Sequence, residues 1–131
     1  MKPKIMIART VFPEVVARLQ QHFDVTDNQA DVAWSKAEWT ERLSQHVGAF
    51  SMGIDPVDEA VLQACPQLKI CANMSVGYNN LDVPAMTRHG VLATNAPDVL
   101  TETTADFGFA LMMAAARRVS DWNRDAVIAR T

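Results

Sequence analysis

The sequence predicts an α/β protein: an open, doubly wound parallel sheet of five strands, followed by one long helix. Two observations predict it. Short apolar runs alternate with helical patterns from Lys4 to Thr94, and no repeat, low-complexity tract or linker interrupts them. Helix-start residues (Ser35, Asp55, Asp82) stand between those runs. Such alternation implies parallel strands joined by right-handed crossovers, with helices on both faces.

Each element has its own signal. Lys4–Ala8 is apolar after its lysine, as a strand covered on both faces requires. Pro13–Phe23 is a helix; Val16, Leu19, Gln20 and Phe23 share a face, with Leu19 and Phe23 as its anchors. Asp24–Asp27 is a weak second strand. Ser35 precedes Glu38 by three residues, a capping box, and Trp39 and Leu43 then share a face. Val47–Ser51 is the third strand. Asp55-Pro56, with Asp58-Glu59, predicts the next helix: a cap, a proline at the first position, and acids in the first turn. Leu68–Met74 is the fourth strand. Asp82 caps a short helix that Gly90 ends, and Val91–Thr94 is the fifth strand. Thr101 is the expected cap of the long helix through Thr104, Phe107, Leu111 and Ala115. From Ala105 to Ala116 only Asp106 and Gly108 are not apolar. A helix apolar all round is normally buried all round. One face would suffice to cover the sheet, and the remaining faces need another partner. The stretch VSDWNRDAVIART that follows carries no strand, glycine or stop signal and reads as cut off.

Composition narrows the function. The 131 residues suggest one domain and are 49% apolar and 21% charged, ordinary for a globular chain. A net charge of −3 with no basic cluster gives no footprint for nucleic acid or an anionic membrane. No signal peptide is read at the N-terminus, and Phe107–Ala116 is too short to span a bilayer. Cys65 and Cys71 lack metal-ligand or Cys-x-x-Cys spacing, which reads as two reduced, buried thiols in a cytoplasmic protein. His22, His46 and His89 fall near helix ends, where a cation suits the dipole, so none is read as catalytic and no metal site is expected.

In open sheets, ligands sit beyond the carboxyl ends of the strands. The turns to consider are therefore Arg9–Phe12, Ser51–Asp55, Ser75–Asn80 and Asn95–Asp98. In the third, Gly77 can take backbone angles that aim consecutive amides into the cleft, an anion cradle. One glycine and no lysine suit a small carboxylate better than a polyphosphate. Asn79 and Asn80 can brace the turn. The plain alternative is a strand-to-helix turn with no ligand. No Gly-x-Gly-x-x-Gly is present, so no dinucleotide pyrophosphate site is expected, and there is no Gly-x-Ser-x-Gly elbow.

Residues 71–119 resemble the D-isomer-specific 2-hydroxyacid dehydrogenases, and within them the glyoxylate/hydroxypyruvate reductases. The resemblance rests on Ser75-Val76-Gly77-Tyr78, on Asn80 and Asp82, on Pro97 through Ala105, and on Ala116-Arg117-Arg118. It implies a flavodoxin-like substrate domain at 1–100. It also implies an interdomain helix and continuation at 101–131, with the family's cofactor domain absent. It assigns the amides of Val76 and Gly77 to a substrate carboxylate, and Met52 and Gly53 to a loop closing over it. Thr104 is assigned to the nicotinamide end of the cofactor. The family's substrate-binding arginine, acid and histidine match no residue here. The resemblance thus implies a small 2-oxo acid such as glyoxylate or hydroxypyruvate as substrate. NADP or NAD would serve the full-length enzyme, with neither binding tightly to this chain. The chain alone is expected to be catalytically silent.

A stand-alone flavodoxin-like binding or oligomerisation module is the alternative. A phosphoacceptor receiver needs acids after the first strand, where Arg9-Thr10-Val11 stands, and ARTVFPEV is a poor flavin phosphate loop. The apolar Thr101–Arg118 helix predicts a homo-oligomer, with the helices exchanged between chains as one form.

Overall fold

The computed structural model describes residues 1–119. The continuation that reads as cut off lies, after Val119, outside the described residues. The strands are β1 (Lys4–Ile7), β2 (Asp24–Thr26), β3 (Gly48–Ser51), β4 (Ile70–Asn73) and β5 (Leu92–Thr94). The helices are α1 (Pro13–Gln20), α2 (Lys36–Leu43), α3 (Glu59–Ala64), α4 (Val83–Arg88) and α5 (Thr101–Ala116). All strands are parallel, in the order β2-β1-β3-β4-β5. The order changes direction beside β1 and β3, as in a doubly wound sheet, and it puts the carboxyl ends of β1, β3 and β4 side by side. The expected fold is therefore the observed one.

The core lies where α2, α3 and α4 meet the sheet. Met6, Ala49 and Cys71 come from three adjacent strands, and Trp39, Leu43, Val61, Leu62, Ala85 and Met86 from the three helices. Trp39 is 1% exposed and its indole N–H donates to Pro56 O at 2.8 Å, so a large ring is buried with its one polar atom satisfied. Cys65 and Cys71 are buried and free, and burial pushes the Cys71 thiol up to about 11. His46 is held between Arg42 O (2.8 Å) and Thr26 Oγ1 (2.9 Å), a structural role.

The capping box forms as its sequence requires: Glu38 N donates to Ser35 Oγ (3.3 Å), and Ser35 N to Glu38 Oε2 (2.9 Å). Ser35→Ala should therefore lower stability by about 1 kcal/mol; a urea midpoint equal to that of the parent would refute the box as a stabilising device. Gly90 does end α4, at φ +66°.

Two helix starts differ from the expectation. α3 begins at Glu59 rather than at Asp55-Pro56, because Asp58 is the cap, accepting from Val61 N at 3.1 Å. Asp55 is occupied in the preceding turn, accepting from Met52 N at 2.8 Å. α5 is preceded by Leu100 with no side-chain cap, so Thr101 is its first residue and not its cap.

Contacts divide the chain after Pro97 into two compact units. α5 belongs to the second. None of its described residues is buried, and Phe107 and Phe109 are 65% and 59% exposed.

Candidate functional site

The site is built on the carboxyl ends of β3 and β4. Beyond β4 the chain turns through Ser75–Asn80, where three consecutive carbonyls are held. Ser75 O accepts from Ala96 N (3.0 Å), Val76 O from Asn95 Nδ2 (2.9 Å), and Gly77 O from Asn73 Nδ2 (2.9 Å). A peptide unit is planar and trans, so fixing a carbonyl fixes the next N–H on the opposite side of the plane. The three clamps therefore orient the amides of Val76, Gly77 and Tyr78. Among the described residues, none of these amides donates to a protein acceptor, and all three residues are exposed. Oriented, unpaired N–H groups are what an anion can use.

This corrects one expectation. Gly77 does not use a left-handed conformation; Gly90 is the one glycine with positive φ among the described residues. The amides are aimed by clamps on their carbonyls, not by glycine's backbone freedom. What glycine leaves at 77 is space: a Cβ there would meet nothing within 4 Å.

The Ser51–Asp55 turn closes against this one. Gly53 N donates to Ser75 Oγ at 2.9 Å, and Met52 N to Asp55 Oδ2 at 2.8 Å. The Met52 and Gly53 amides thus already have partners. Asn80 Nδ2 reaches across to Met52 O (3.0 Å) and Asp55 O (2.8 Å). Beneath lies a buried polar floor, in which Ser51 Oγ donates to Asn73 Oδ1 at 3.2 Å and lies 3.0 Å from Cys71 Sγ. Thr104, in the second unit, is exposed on the first turn of α5, its amide donating to Leu100 O at 2.9 Å. The structure thus brings Met52, Gly53, Val76 and Gly77 together. The sequence reading missed Asn73 and Asn95 as site residues. The available signal was an amide side chain ending an otherwise apolar strand run.

The local electrostatics are mild. Arg9, after β1, is paired with Asp31 (Nε–Oδ1 3.0 Å). Burial raises the Asp55 carboxyl above its ordinary 3.8, against the opposing effects of the Met52 amide and Arg9. The folded chain therefore holds that proton more tightly than the unfolded one. The resulting stabilisation is complete below the unfolded value and fades as pH rises through the raised folded one. Asp55→Asn keeps an acceptor for Met52 N, so its Tm should match the parent's in acid and exceed it at neutral pH. An unchanged Tm difference across that window would contradict this. A hollow of about 640 Å3, bounded by Thr10, Phe12, Phe50 and Met74, lies at the ends of β1, β3 and β4. No helix among the described residues is long and apolar enough to cross a membrane. No cluster of three or more potential metal ligands occurs among them.

A β2-β1-β3-β4-β5 parallel sheet with its polar turns at the carboxyl edge defines the flavodoxin-like class of small-ligand α/β domains. Within that class, residues 5–124 match the model of the D-isomer specific 2-hydroxyacid dehydrogenase catalytic domain, and the chain belongs to that family. It is similar to a glyoxylate reductase of Korarchaeum cryptofilum, 41% identical over 124 residues that cover 95% of this chain and 37% of the relative. Among solved structures it resembles a protein of Thermus thermophilus (TM-score 0.78, 32% identity, 90% of this chain and 38% of the other). It also resembles the NADPH-dependent glyoxylate/hydroxypyruvate reductase of Sinorhizobium meliloti, solved with NADP and malonate (TM-score 0.71, 28% identity, 95% and 39%). The chain spans little more than a third of these relatives' length.

Proposed function

We propose that this chain is the substrate-binding portion of an NAD(P)-dependent 2-hydroxyacid dehydrogenase of the glyoxylate/hydroxypyruvate reductase type. Residues 1–100 would form the substrate domain and 101–131 the connection toward a cofactor domain. One observation supports the reading above others: the amides of Val76 and Gly77 are oriented by clamped carbonyls and left without a protein acceptor. A 2-oxo acid presents a carboxylate that two such N–H groups can hold. The Met52-Gly53 turn, tied to the same site, would border the substrate.

Reduction of a 2-oxo acid needs a held carboxylate, a positioned hydride donor and a general acid. A nicotinamide cofactor supplies the hydride when bound. The residues present do not fit a dinucleotide: no glycine-rich phosphate turn occurs in the sequence, and the exposed Thr104 hydroxyl is one contact, not a site. The chain's own part is therefore to bind and orient the carboxylate. NADH and NADPH bind it weakly, and alone it is silent in hydride transfer.

The test has two arms. Glyoxylate titrated into the pure chain should shift the amide resonances of residues 76 and 77 and saturate; no response would remove the carboxylate reading. Oxidation of NADH or NADPH by the chain with glyoxylate or hydroxypyruvate would instead remove the inference of silence. The exposed, small-residue-rich face of α5 supports a homo-oligomer formed through Thr101–Arg118. A stable monomer by light scattering at high concentration would sink that part.

A further inference from the structure

We propose that Asn73 and Asn80 are positioning residues that make the two cleft turns one mechanical unit, so that neither peptide array can move without the other. The proposal deepens the carboxylate reading and rests on it for its ligand arm.

Asn73 is 3% exposed and ends β4. Its Nδ2 donates to Gly77 O at 2.9 Å and to Asn80 Oδ1 at 3.4 Å. Its Oδ1 accepts from Ser51 Oγ at 3.2 Å. Asn80 in turn donates to Met52 O and Asp55 O, at 3.0 and 2.8 Å. A continuous amide chain therefore runs from the Gly77 carbonyl to the Met52 carbonyl. Each end sets a peptide plane: Gly77 O fixes the Tyr78 N–H, and Met52 O fixes the Gly53 N–H. Only a carboxamide offers both donors and an acceptor on so short a stem. An aspartate at 80 would face two carbonyls with no proton to give. A serine could reach one partner, not both turns.

Backbone bonds also join the turns: Met74 N donates to Ser51 O (2.7 Å) and Val57 N to Asn80 O (2.8 Å). These hold the strands in register. The 52–53 plane is also held by Asp55 N, which donates to Met52 O at 3.0 Å, and by its own Gly53 N, which donates to Ser75 Oγ at 2.9 Å. The side chain that joins the 52–53 and 77–78 planes through Asn73 is Asn80. Asn80→Ala should therefore leave the fold intact and loosen the 52–53 and 77–78 planes by removing the side chain that links them, although Asp55 N still holds Met52 O (3.0 Å) and Asn73 Nδ2 still holds Gly77 O (2.9 Å). An occupant of the cradle would then have to order them itself, which weakens binding.

The experiment compares the chain with Asn80→Ala, and with Val61→Ala as a control destabilised in the core. Glyoxylate is titrated while the amide resonances of Gly53, Gly77 and Tyr78 are followed. In the parent the three should move with one midpoint. Asn80→Ala should raise that midpoint at least ~10-fold, while Val61→Ala leaves it within about two-fold. Equal midpoints for Asn80→Ala and the parent would overturn the proposal. Ligand-free hydrogen exchange gives a second readout: in Asn80→Ala, the hydrogen-bonded amides of Gly53 (to Ser75 Oγ) and Leu81 (to Tyr78 O) should exchange faster together. Faster exchange confined to the 51–55 turn would overturn the coupling. A parent that ignores glyoxylate yet shows coupled exchange would refute the carboxylate reading alone and leave the coupling supported.

Discussion

Trp39→Ala is expected to lower stability by about 4 kcal/mol and leave a sizeable unfolded population at room temperature. Trp39 is 1% exposed and stands in the cluster that joins α2 to α3 and the sheet. Truncating such a ring removes its transfer free energy and leaves a cavity, ~3–5 kcal/mol in comparable sites. It also strips Pro56 O of its donor. A domain of this size has only about 5–15 kcal/mol in total. Trp39→Phe separates the two effects, since it keeps most of the volume and loses the hydrogen bond, for about 1–2 kcal/mol. Urea denaturation measures both. A loss below about 1 kcal/mol for the alanine variant would mean the site collapses around the gap.

Gly77→Ala is expected to do the reverse: to leave the fold unharmed and lower glyoxylate affinity at least ~10-fold. The residue has no positive φ, and a Cβ at 77 would meet no protein atom within 4 Å. Alanine there should even add up to about 0.4–1 kcal/mol by restricting the unfolded chain. The methyl would project into open space beside the unpaired amides. Calorimetric Tm and an NMR titration decide it. A lowered Tm with unchanged affinity would make Gly77 a structural glycine after all.

The contrast among glycines shows what could be read from sequence. Gly90 after Asp82–His89 is a helix stop legible from its position, and its φ of +66° agrees. Gly48 reads only as part of a strand, yet a Cβ there would lie 3.1 Å from Ile70 Cγ2 and 3.2 Å from Ile5 Cγ2. That close approach of three strands depends on residues far apart in the chain. Gly77 was legible as a special turn residue, but the reason differed, because the carbonyls of Ser75, Val76 and Gly77 itself are held by Ala96, Asn95 and Asn73.

The fold was legible because period and punctuation are local: apolar runs, the Ser35–Glu38 box, the Asp82 cap. The start of α3 was misread because Asp55-Pro56 and Asp58-Glu59 are both good start signals. The choice fell to the Met52 amide, which takes Asp55 for the turn. The candidate site could be proposed as a location from the family-like run at Ser75–Asp82, but its hydrogen-bonded clamps could not be read there. Asn73 and Asn95 act through partners four and nineteen residues away, and sequence carries no record of such pairings.

Two of the three clamps on the 75–77 carbonyls, Ala96 N and Asn95 Nδ2, come from the segment after β5. β5 is a three-residue edge strand with no buried residue. Short edge elements open at low free energy, well before a core does. The cradle is thus anchored on one side to the buried end of β4 and on the other to a short edge of the sheet. On the carboxylate reading proposed above, occupancy of the amides and closure of the edge are linked equilibria. A bound anion would slow exchange along β5, which it never touches, and fraying of β5 would dissolve the site while Trp39 and its neighbours stayed packed.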